Sequence, residues 1–424
     1  MVPSKTAGLI NIFMIVFVDM IGFGLIMPLL PYYAEAFNAT PFIVGLLVAS
    51  FAAGSLIGAP ILGRLSDRYG RRPILLISVS GTFIGYLLLG LAPQIGNFLA
   101  NLFSSHADNA FTLGILFFSR IIDGLTAGNI PVAQAYISDV TDEMNRTRGL
   151  GVIGSAFGLG FMIGPAIGGM LSRWGYRDPS LAAAILAFLN MISILFLLPE
   201  SLTDERRAII IHKERVSLTY RALIVAIKRP KIIPLLLVRF FVMLAYTIFW
   251  SVFALFTKIK LNLSMQSTGI VMTYIGFYSV WVQGVGIGLL IKRFKDRTII
   301  IASLWLMLLG FIGWSVANNL PVLLLVILPL SGGGWILNTI ITSAITKAVH
   351  VDEIGGMLGV SAASDSITRL IAPILGGFML GGNGAWAPGI VCATLVLVTI
   401  GFTYWGILHV SEPIEPQPAE SKVI

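Results

Sequence analysis

The side chains best placed to do chemistry are charged residues inside otherwise apolar segments. Asp19 lies in the apolar run 8–33, about 11 residues and hence roughly 16 Å from its start if the run is helical. Arg120 and Asp123 lie at a matching depth in the run 111–134. Charges within a membrane are costly and usually mark a functional site. Two acids and one base carry a net negative charge when ionised, so this group could attract a proton or a cation.

A structural role is the alternative for these three residues. Asp19 would then tie its helix to a neighbour through an ion pair, and Arg120 would neutralise Asp123 three residues away. On a continuous helix, however, Arg120, Asp123, Ala127 and Gln134 share one mostly polar stripe. The stripe favours a proton-responsive cluster at Asp19, Arg120 and Asp123, with Gln134 lining a cavity beside it.

The composition indicates that membrane-spanning helices position these residues. The 424 residues are 56% hydrophobic and only 11% charged, with a mean hydropathy of +0.90, whereas soluble domains carry about 25% charged residues. The single cysteine, Cys392, excludes a disulfide framework and a cysteine-based metal site. The basic residues lie in loops between apolar runs, so the net charge of +8 does not indicate nucleic-acid binding. No nucleophile–base pair or metal-ligand set lies at depth, so we predict neither an enzyme nor a metal site.

Twelve apolar runs, in two sets of six, predict the fold. Runs of about twenty residues span a bilayer as helices. We therefore predict an all-α membrane protein with twelve transmembrane helices in two pseudo-symmetric six-helix bundles. The predicted domains are an N-terminal bundle at 1–198, a cytoplasmic linker with an amphipathic helix at 199–233, a C-terminal bundle at 234–410 and a cytoplasmic tail at 411–424. The runs, numbered as spans 1 to 12, lie at 8–33, 42–63, 73–92, 111–134, 150–172, 181–198, 234–256, 267–291, 298–317, 320–345, 357–380 and 386–408.

Lysine and arginine predict the orientation. With the N-terminus in the cytoplasm, most of the 28 basic residues fall in cytoplasmic loops, as the positive-inside rule requires. We therefore expect an integral protein of the plasma (cytoplasmic) membrane with both termini inside. The few basic residues left on the opposite side are Arg173, Arg177, Lys258 and Lys260.

An internal repeat relates the two halves. Pro165 of span 5 matches Pro373 of span 11, and Gly168-Gly169 matches Gly376-Gly377. The same number of residues separates the members of each match. Parallel repeats of this kind are expected in transporters built from two six-helix halves.

The charged loop between spans 2 and 3 resembles the signature loop of the major facilitator superfamily. The resemblance implies that Asp67 secures an inner gate and that Arg71 or Arg72 reaches an acid after span 4, which is Asp139 here. The other gating residues are Gly63, Arg68 and Gly70. The resemblance rests on Gly63-Arg64-Leu65-Ser66-Asp67-Arg68-Tyr69-Gly70-Arg71-Arg72-Pro73.

A glycine string in span 5 resembles the antiporter signature of the drug:proton antiporter branch of this superfamily. Asp19 and the Gly-x-Gly-Leu-Ile-Met-Pro pattern after it resemble span 1 of tetracycline/proton antiporters. These resemblances imply a monomer that exports amphipathic compounds or drugs by alternating access, with Asp19 or Asp123 releasing a proton. A proton gradient would drive it without a cofactor. The alternative is a facilitator or proton symporter for a sugar-like or organic-acid solute. The string comprises Gly160, Gly164, Pro165, Gly168 and Gly169.

The second half differs from the tetracycline exporters, because span 9 contains no acid. Asp365 and Arg369, four residues apart on span 11, form either a local ion pair or part of the transport pathway. We expect Arg239, near the start of span 7, to extend its head group to the surface.

Cavities for amphipathic ligands have apolar walls with few polar groups. Each candidate lining residue could instead serve only to pack the helices together. The candidates are Tyr246, Trp250, Tyr274, Tyr278, Gln283, Trp335 and Asn338.

Overall fold

The computed structural model describes residues 5–104, 108–141, 143–203, 207, 232–349 and 353–404, without side chains for 5–7, 143–148 and 150. Most of the predicted linker at 199–233 and all of the predicted tail at 411–424 lie outside the described residues. Every regular element within the described ranges is helical.

Each predicted apolar run falls on one helix or on two consecutive helices, which confirms the all-α twelve-span fold. Ten of these spans are long and apolar enough to cross a membrane among the described residues, and α14 is a shorter apolar helix. Span 4 is divided between α4 and α5. Span 8 comprises α9, a π-helical turn at Val282–Gly286 and α10. The helices are α1 (Lys5–Ala36), α2 (Pro41–Tyr69), α3 (Arg71–Leu102), α4 (Asp108–Leu125), α5 (Asn129–Val140), α6 (Glu143–Leu171), α7 (Arg177–Leu197), α8 (Ile232–Leu261), α9 (Met265–Trp281), α10 (Ile287–Arg293), α11 (Asp296–Val316), α12 (Leu320–Lys347), α13 (Ile354–Gly382) and α14 (Ala387–Thr403).

Local sequence explains several helix ends. Thr40 caps α2 by accepting a hydrogen bond from the backbone N–H of Ile43 at 3.4 Å, and Pro41 follows at the first helical position. Asn319 caps α12 in the same way through Val322 at 3.0 Å. Gly70 separates α2 from α3 with a φ of +108°, a conformation that favours glycine.

The chain divides into two compact units by its contacts: Met1–Glu214 with Phe253–Phe277, and Arg215–Val252 with Tyr278–Ile424. In the first unit, α3 packs against α4 and α7, and α1 packs against α6 and α7. In the second unit, α11 packs against α12 and α14. The predicted bundle boundaries stay predictions, because most of the linker between them is not described.

Small residues bring the helices of the second unit close together. A Cβ atom at Gly310 of α11 would lie 2.6 Å from the Cβ of Leu330 on α12. A Cβ at Gly389 of α14 would lie 2.7 Å from the Cβ of Ser315 on α11. Such contacts allow the close backbone approach on which membrane helices rely.

Candidate functional site

A buried ion pair on α4 forms the centre of the predicted charged cluster. The Nη1 atom of Arg120 lies 3.1 Å from Oδ2 of Asp123, and each residue is only 3% exposed. The guanidinium carbon of Arg120 stands 5.4 Å from the centre of the Tyr86 ring, a cation–π contact. Thr82 of α3 lies close enough to Asp123 for its hydroxyl to stabilise the carboxylate. The pair is therefore held in place by α3 as well as by its own helix.

Asp19 of α1 lies beside this pair. Its carboxyl group is within hydrogen-bonding reach of the Asn129 side chain and close enough to Asp123 for the two charges to repel. Asp19 is partly exposed, whereas Arg120 and Asp123 are buried. Within the described ranges Asp19 forms no ion pair. The structure thus brings the three predicted charges together and leaves Asp19 as the acid without a paired cation.

Span 4 is not a continuous helix, and the predicted polar stripe on it is wrong beyond Asp123. The helix stops at 126–128 because Pro131 has no N–H to donate to the carbonyl of Ala127, and its ring would clash with that carbonyl. Ala127 falls within the break. Gln134 lies on α5 beyond the break and is exposed.

The break places Asn129, which the sequence analysis did not select, at the start of α5. Asn129 is 8% exposed and contacts the hydroxyl of Ser78 on α3. The same hydroxyl accepts a hydrogen bond from the N–H of Gly128 at 3.0 Å and contacts the carbonyl of Thr126. Ser78 therefore holds the interrupted backbone, and Asn129 links it to Asp19. Pro131 was the sequence signal that could have located this site.

At the charged loop between α2 and α3, Arg71 is the arginine that reaches Asp139. Its Nε lies 2.9 Å from Oδ2 of Asp139. Its Nη1 donates to the Ser66 hydroxyl at 2.7 Å and to Oδ1 of Asp67 at 2.6 Å. Arg71 is 4% exposed. One buried guanidinium thus joins the end of α2, the start of α3 and the end of α5.

Glu200 is a second organising residue of this loop and was not selected from the sequence. Its Oε1 accepts a hydrogen bond from the backbone N–H of Arg71 at 2.8 Å, and its Oε2 accepts one from that of Arg72 at 3.1 Å. A Cβ at Gly70 would lie 2.5 Å from Oε2 of Glu200, so the carboxylate needs glycine there. The same carboxylate accepts from the backbone N–H groups of Ser201 and Leu202.

The remaining loop residues contribute less to this network. The guanidinium of Arg72 donates to the carbonyl of Leu195 at the end of α7. Arg68 is exposed and lies over the ring of Tyr69 at 5.4 Å. No atom lies within 4 Å of a Cβ built at Gly63.

Three glycines of the span 5 string form the contact between α6 and α1. A Cβ at Gly164 would lie 2.7 Å from the Cα of Gly24, and a Cβ at Gly24 would lie 3.0 Å from the Cα of Gly164. The two backbones are therefore in contact on both sides. Gly160 and Gly168 meet Met20 and Leu25 of α1 in the same way.

An adjacent face of α6 contacts α9 within the same unit. A Cβ at Gly169 would lie 3.1 Å from the Cα of Gln266, and one at Gly269 would lie 3.1 Å from the Cα of Gly169. The carbonyl of Pro165 also meets Gly269. The string therefore gives α6 two faces that contact neighbouring backbones.

The second unit contains a buried ion pair that contradicts the sequence expectation for Arg239. Arg239 of α8 is 7% exposed and does not reach the surface, because two partners bind its Nη atoms inside. Its Nη2 donates to Oδ2 of Asp365 on α13 at 2.7 Å, and its Nη1 donates to the Thr342 hydroxyl on α12 at 2.7 Å. Asp365 pairs with Arg239 rather than with Arg369, which is exposed.

Three of the predicted cavity residues come together on α8 and α12, the helices that carry Arg239 and Thr342. The ring centre of Tyr246 lies 6.2 Å from that of Trp250 and 6.0 Å from that of Trp335, both in edge-to-face geometry. Asn338 follows Trp335 on the same face of α12. The others lie elsewhere: Tyr278 stacks on Trp281, Gln283 is exposed in the π-helical turn and Tyr274 is half-buried on α9.

Comparisons with known proteins agree with this architecture. The sequence profile of the Major Facilitator Superfamily matches residues 12–236 and again 235–423. The chain is 30% identical over 405 residues to "Tetracycline resistance protein, class H" of Pasteurella multocida, covering 93% of this chain and 96% of that protein. It is 25% identical to "Multidrug resistance protein 2" of Bacillus subtilis (strain 168), covering 92% of each. The solved structure of a bacterial homologue of the human lysosomal transporter Spinster, inward-facing and occupied, superposes with a TM-score of 0.74 at 15% identity, covering 96% and 97%. The tandem profile match agrees with the internal repeat.

Proposed function

Since the chain belongs to the Major Facilitator Superfamily, we propose that this multi-pass membrane protein exports small amphipathic compounds or drugs in exchange for protons. It acts as a monomer in the cytoplasmic membrane, with both termini inside, by alternating access. It makes and breaks no covalent bond in its cargo and needs no cofactor beyond the proton gradient.

The observation that carries the proposal is Asp19, a carboxyl group that forms no ion pair with any described residue and lies beside the buried Arg120–Asp123 pair. Arg120 neutralises Asp123, so Asp123 is poorly suited to exchange a proton. Asp19 is partly exposed and is repelled by Asp123. Binding a proton relieves that repulsion, and losing it restores a net negative charge. Asp19 is therefore the group that gains and loses the transported proton, and the pair provides its fixed electrostatic surroundings.

Two contacts of Asp19 couple its charge to the helices. Asn129 stands at the break between α4 and α5, where no helical hydrogen bonds cross residues 126–128 to stiffen the span. Asp19 itself lies on α1, close to the place where α1 contacts Gly160 and Gly164 of α6. A change in charge at Asp19 therefore acts on α1 and on the weak point of span 4 together.

Export rather than uptake is supported by two sequence resemblances. The span 5 string resembles the antiporter signature, and the similar proteins in Pasteurella multocida and Bacillus subtilis bear names that refer to tetracycline and multidrug resistance. Gradient-driven exchange requires only that proton and cargo favour different states of the same carrier.

The first experiment identifies a cargo. The chain is expressed in a host that lacks its own drug pumps and is tested for resistance to lipophilic cations, tetracyclines and quinolones. Any compound that scores is then used in proteoliposomes with an imposed pH gradient. Wild-type protein should accumulate it against its concentration gradient only while the pH gradient lasts.

The Asp19→Asn variant tests the proton role. It should insert and fold but lose all accumulation driven by the pH gradient, because the amide cannot exchange a proton. Asp108→Asn is the matched control: it removes the same charge from the exposed first turn of α4 and should accumulate cargo like the wild type. Full gradient-driven accumulation by Asp19→Asn would contradict the assignment.

A further inference from the structure

We propose that the second unit contains a cargo subsite around Arg239, which binds the acidic group of an aromatic compound. This inference names a class of cargo and rests on the exporter function proposed above. It concerns Arg239, Asp365, Asn338 and the ring wall of Tyr246, Trp250 and Trp335, together called the Arg239 subsite.

Arg239 has the features of a ligand-binding arginine. Its side chain is nine-tenths buried on α8, with one Nη atom on Asp365 and the other on Thr342. Its Nε is buried and has no hydrogen-bond partner within the described residues. A buried unsatisfied N–H costs about as much as a lost hydrogen bond, so a ligand that accepts from this donor would gain that energy.

On the two helices that contact Arg239, three further buried polar atoms also lack hydrogen-bond partners in the described part of the chain. They are Oδ1 of Asp365 on α13, and Oδ1 of Asn338 and Nε1 of Trp335 on α12. Buried polar groups are nearly always paired in folded proteins, so such exceptions call for an explanation. An acidic ligand accepts hydrogen bonds from the two donors, Nε of Arg239 and Nε1 of Trp335. The two oxygen atoms are acceptors, which a carboxylate leaves unpaired.

The charge and shape of the subsite select the ligand. The guanidinium is a planar fork that matches a carboxylate and remains charged. Asp365 occupies one arm of the fork, so an acidic cargo would bind through Nε and compete with Asp365. The aromatic side chains Tyr246, Trp250 and Trp335 meet edge to face at 6.0–6.2 Å and offer a wall for a ring. An aromatic acid satisfies both features.

The position of the subsite suits cargo that enters from the cytoplasm. Arg239 lies roughly 10 Å along α8 from its first residue, and Thr342 lies about 8 Å before the last residue of α12, at 1.5 Å per residue. Both of these helix ends face the cytoplasm in the proposed orientation. Arg239 therefore comes before the ring wall on a path from the cytoplasm.

A binding experiment on the purified full chain in lipid nanodiscs tests the inference with 2-naphthoate and its uncharged analogue 2-naphthamide. Quenching of tryptophan fluorescence reports binding, and Trp335→Phe identifies the part of the signal that arises in the subsite. Wild-type protein should bind naphthoate about tenfold or more tightly than naphthamide. A hydrogen bond to a charged group contributes enough binding free energy for a ratio of this size. An equal affinity for the two probes, or no binding of naphthoate, overturns the proposal.

The variants separate recognition from packing. Arg239→Gln leaves Asp365 buried without its cation and can unfold the chain, so the double variant Arg239→Gln with Asp365→Asn provides a neutral pair. It should lose the preference for naphthoate and keep its affinity for naphthamide within about threefold. Asp365→Asn alone should strengthen naphthoate binding, because it removes the competitor. Weaker naphthoate binding by Asp365→Asn would mean that the pair is only structural.

Lys347→Gln is the matched control, since it breaks an exposed ion pair with Asp296 at the end of α12 and should leave both affinities unchanged.

The exporter proposal and the subsite proposal are refuted by different results. Loss of proton coupling by Asp19→Asn concerns transport, whereas the naphthoate preference is measured at equilibrium without a gradient. A naphthoate preference with no gradient-driven transport would remove the exporter proposal and leave the subsite.

Discussion

Gly164→Ala adds one methyl group to the contact between α6 and α1, where the structure leaves no room for it. The new Cβ would lie 2.7 Å from the Cα of Gly24 and 2.8 Å from the carbonyl oxygen of Ile21. Carbon atoms in contact are ordinarily about 3.5–4.0 Å apart. The obstructing atoms belong to the backbone and cannot rotate away. The two helices must therefore separate by about 1 Å.

The cost of this separation can be compared with that of a matched variant. Overpacking a filled contact costs about 1–3 kcal/mol. Gly154 lies on the same helix, and no atom lies within 4 Å of a Cβ built there. Alanine has a higher helix propensity than glycine, which stabilises both variants by up to about 1 kcal/mol. This contribution cancels when the two variants are compared. Gly164→Ala should therefore be about 1–3 kcal/mol less stable than Gly154→Ala.

Equilibrium unfolding in mixed detergent micelles, followed by circular dichroism, measures this difference. Gly154→Ala should match or exceed wild-type stability, and Gly164→Ala should fall below it. Equal stability of the two variants would refute the close α1–α6 contact. It would also remove the physical basis for treating the span 5 string as an interface.

Two further predictions concern the charged loop between α2 and α3. Glu200→Gln replaces a carboxylate that accepts four backbone hydrogen bonds with an amide that turns an N–H group toward some of those donors. It should lower the free energy of unfolding by about 1–3 kcal/mol in the same micelle assay, and an unchanged value would show that Glu200 does not organise the loop. Arg71→Lys cannot reach Asp67 and Asp139 together because lysine lacks the planar fork, so it should reduce transport in proteoliposomes far more than Arg72→Lys. Equal transport by the two lysine variants would count against Arg71 as the gate residue.

The fold could be predicted from the sequence because its signal is local. Each span is an apolar run whose length is set by the bilayer, and lipid leaves the helix as the main way to satisfy the backbone. The division of span 4 was also encoded locally, in Pro131. The periodicity argument missed it because it assumed an unbroken helix from Arg120 to Gln134.

The pairing of charges could be predicted only in part. Arg120 and Asp123 are three residues apart on one helix, so their contact follows from helix geometry. The same reasoning left Asp365 and Arg369 as either a local ion pair or part of the pathway. It did not suggest Arg239, because that contact depends on how α8 and α13 pack. Hydrophobic periodicity does not specify that packing.

Glu200 and Asn129 were missed for a related reason. Each satisfies groups that become visible only once the chain is folded: the free backbone N–H groups at the start of α3 for Glu200, and the side chains of Asp19 and Ser78 for Asn129. A sequence shows which side chains can accept hydrogen bonds. It does not show which donors the fold leaves unpaired.

Proton release on cargo binding tests the central claim most directly. Purified protein in weakly buffered detergent is mixed with an exported compound, and a pH indicator dye records the protons released. Wild-type protein and Asp108→Asn should release protons on binding, whereas Asp19→Asn should bind the compound and release none. Release by Asp19→Asn equal to that of the wild type would contradict the assignment of the transported proton to Asp19.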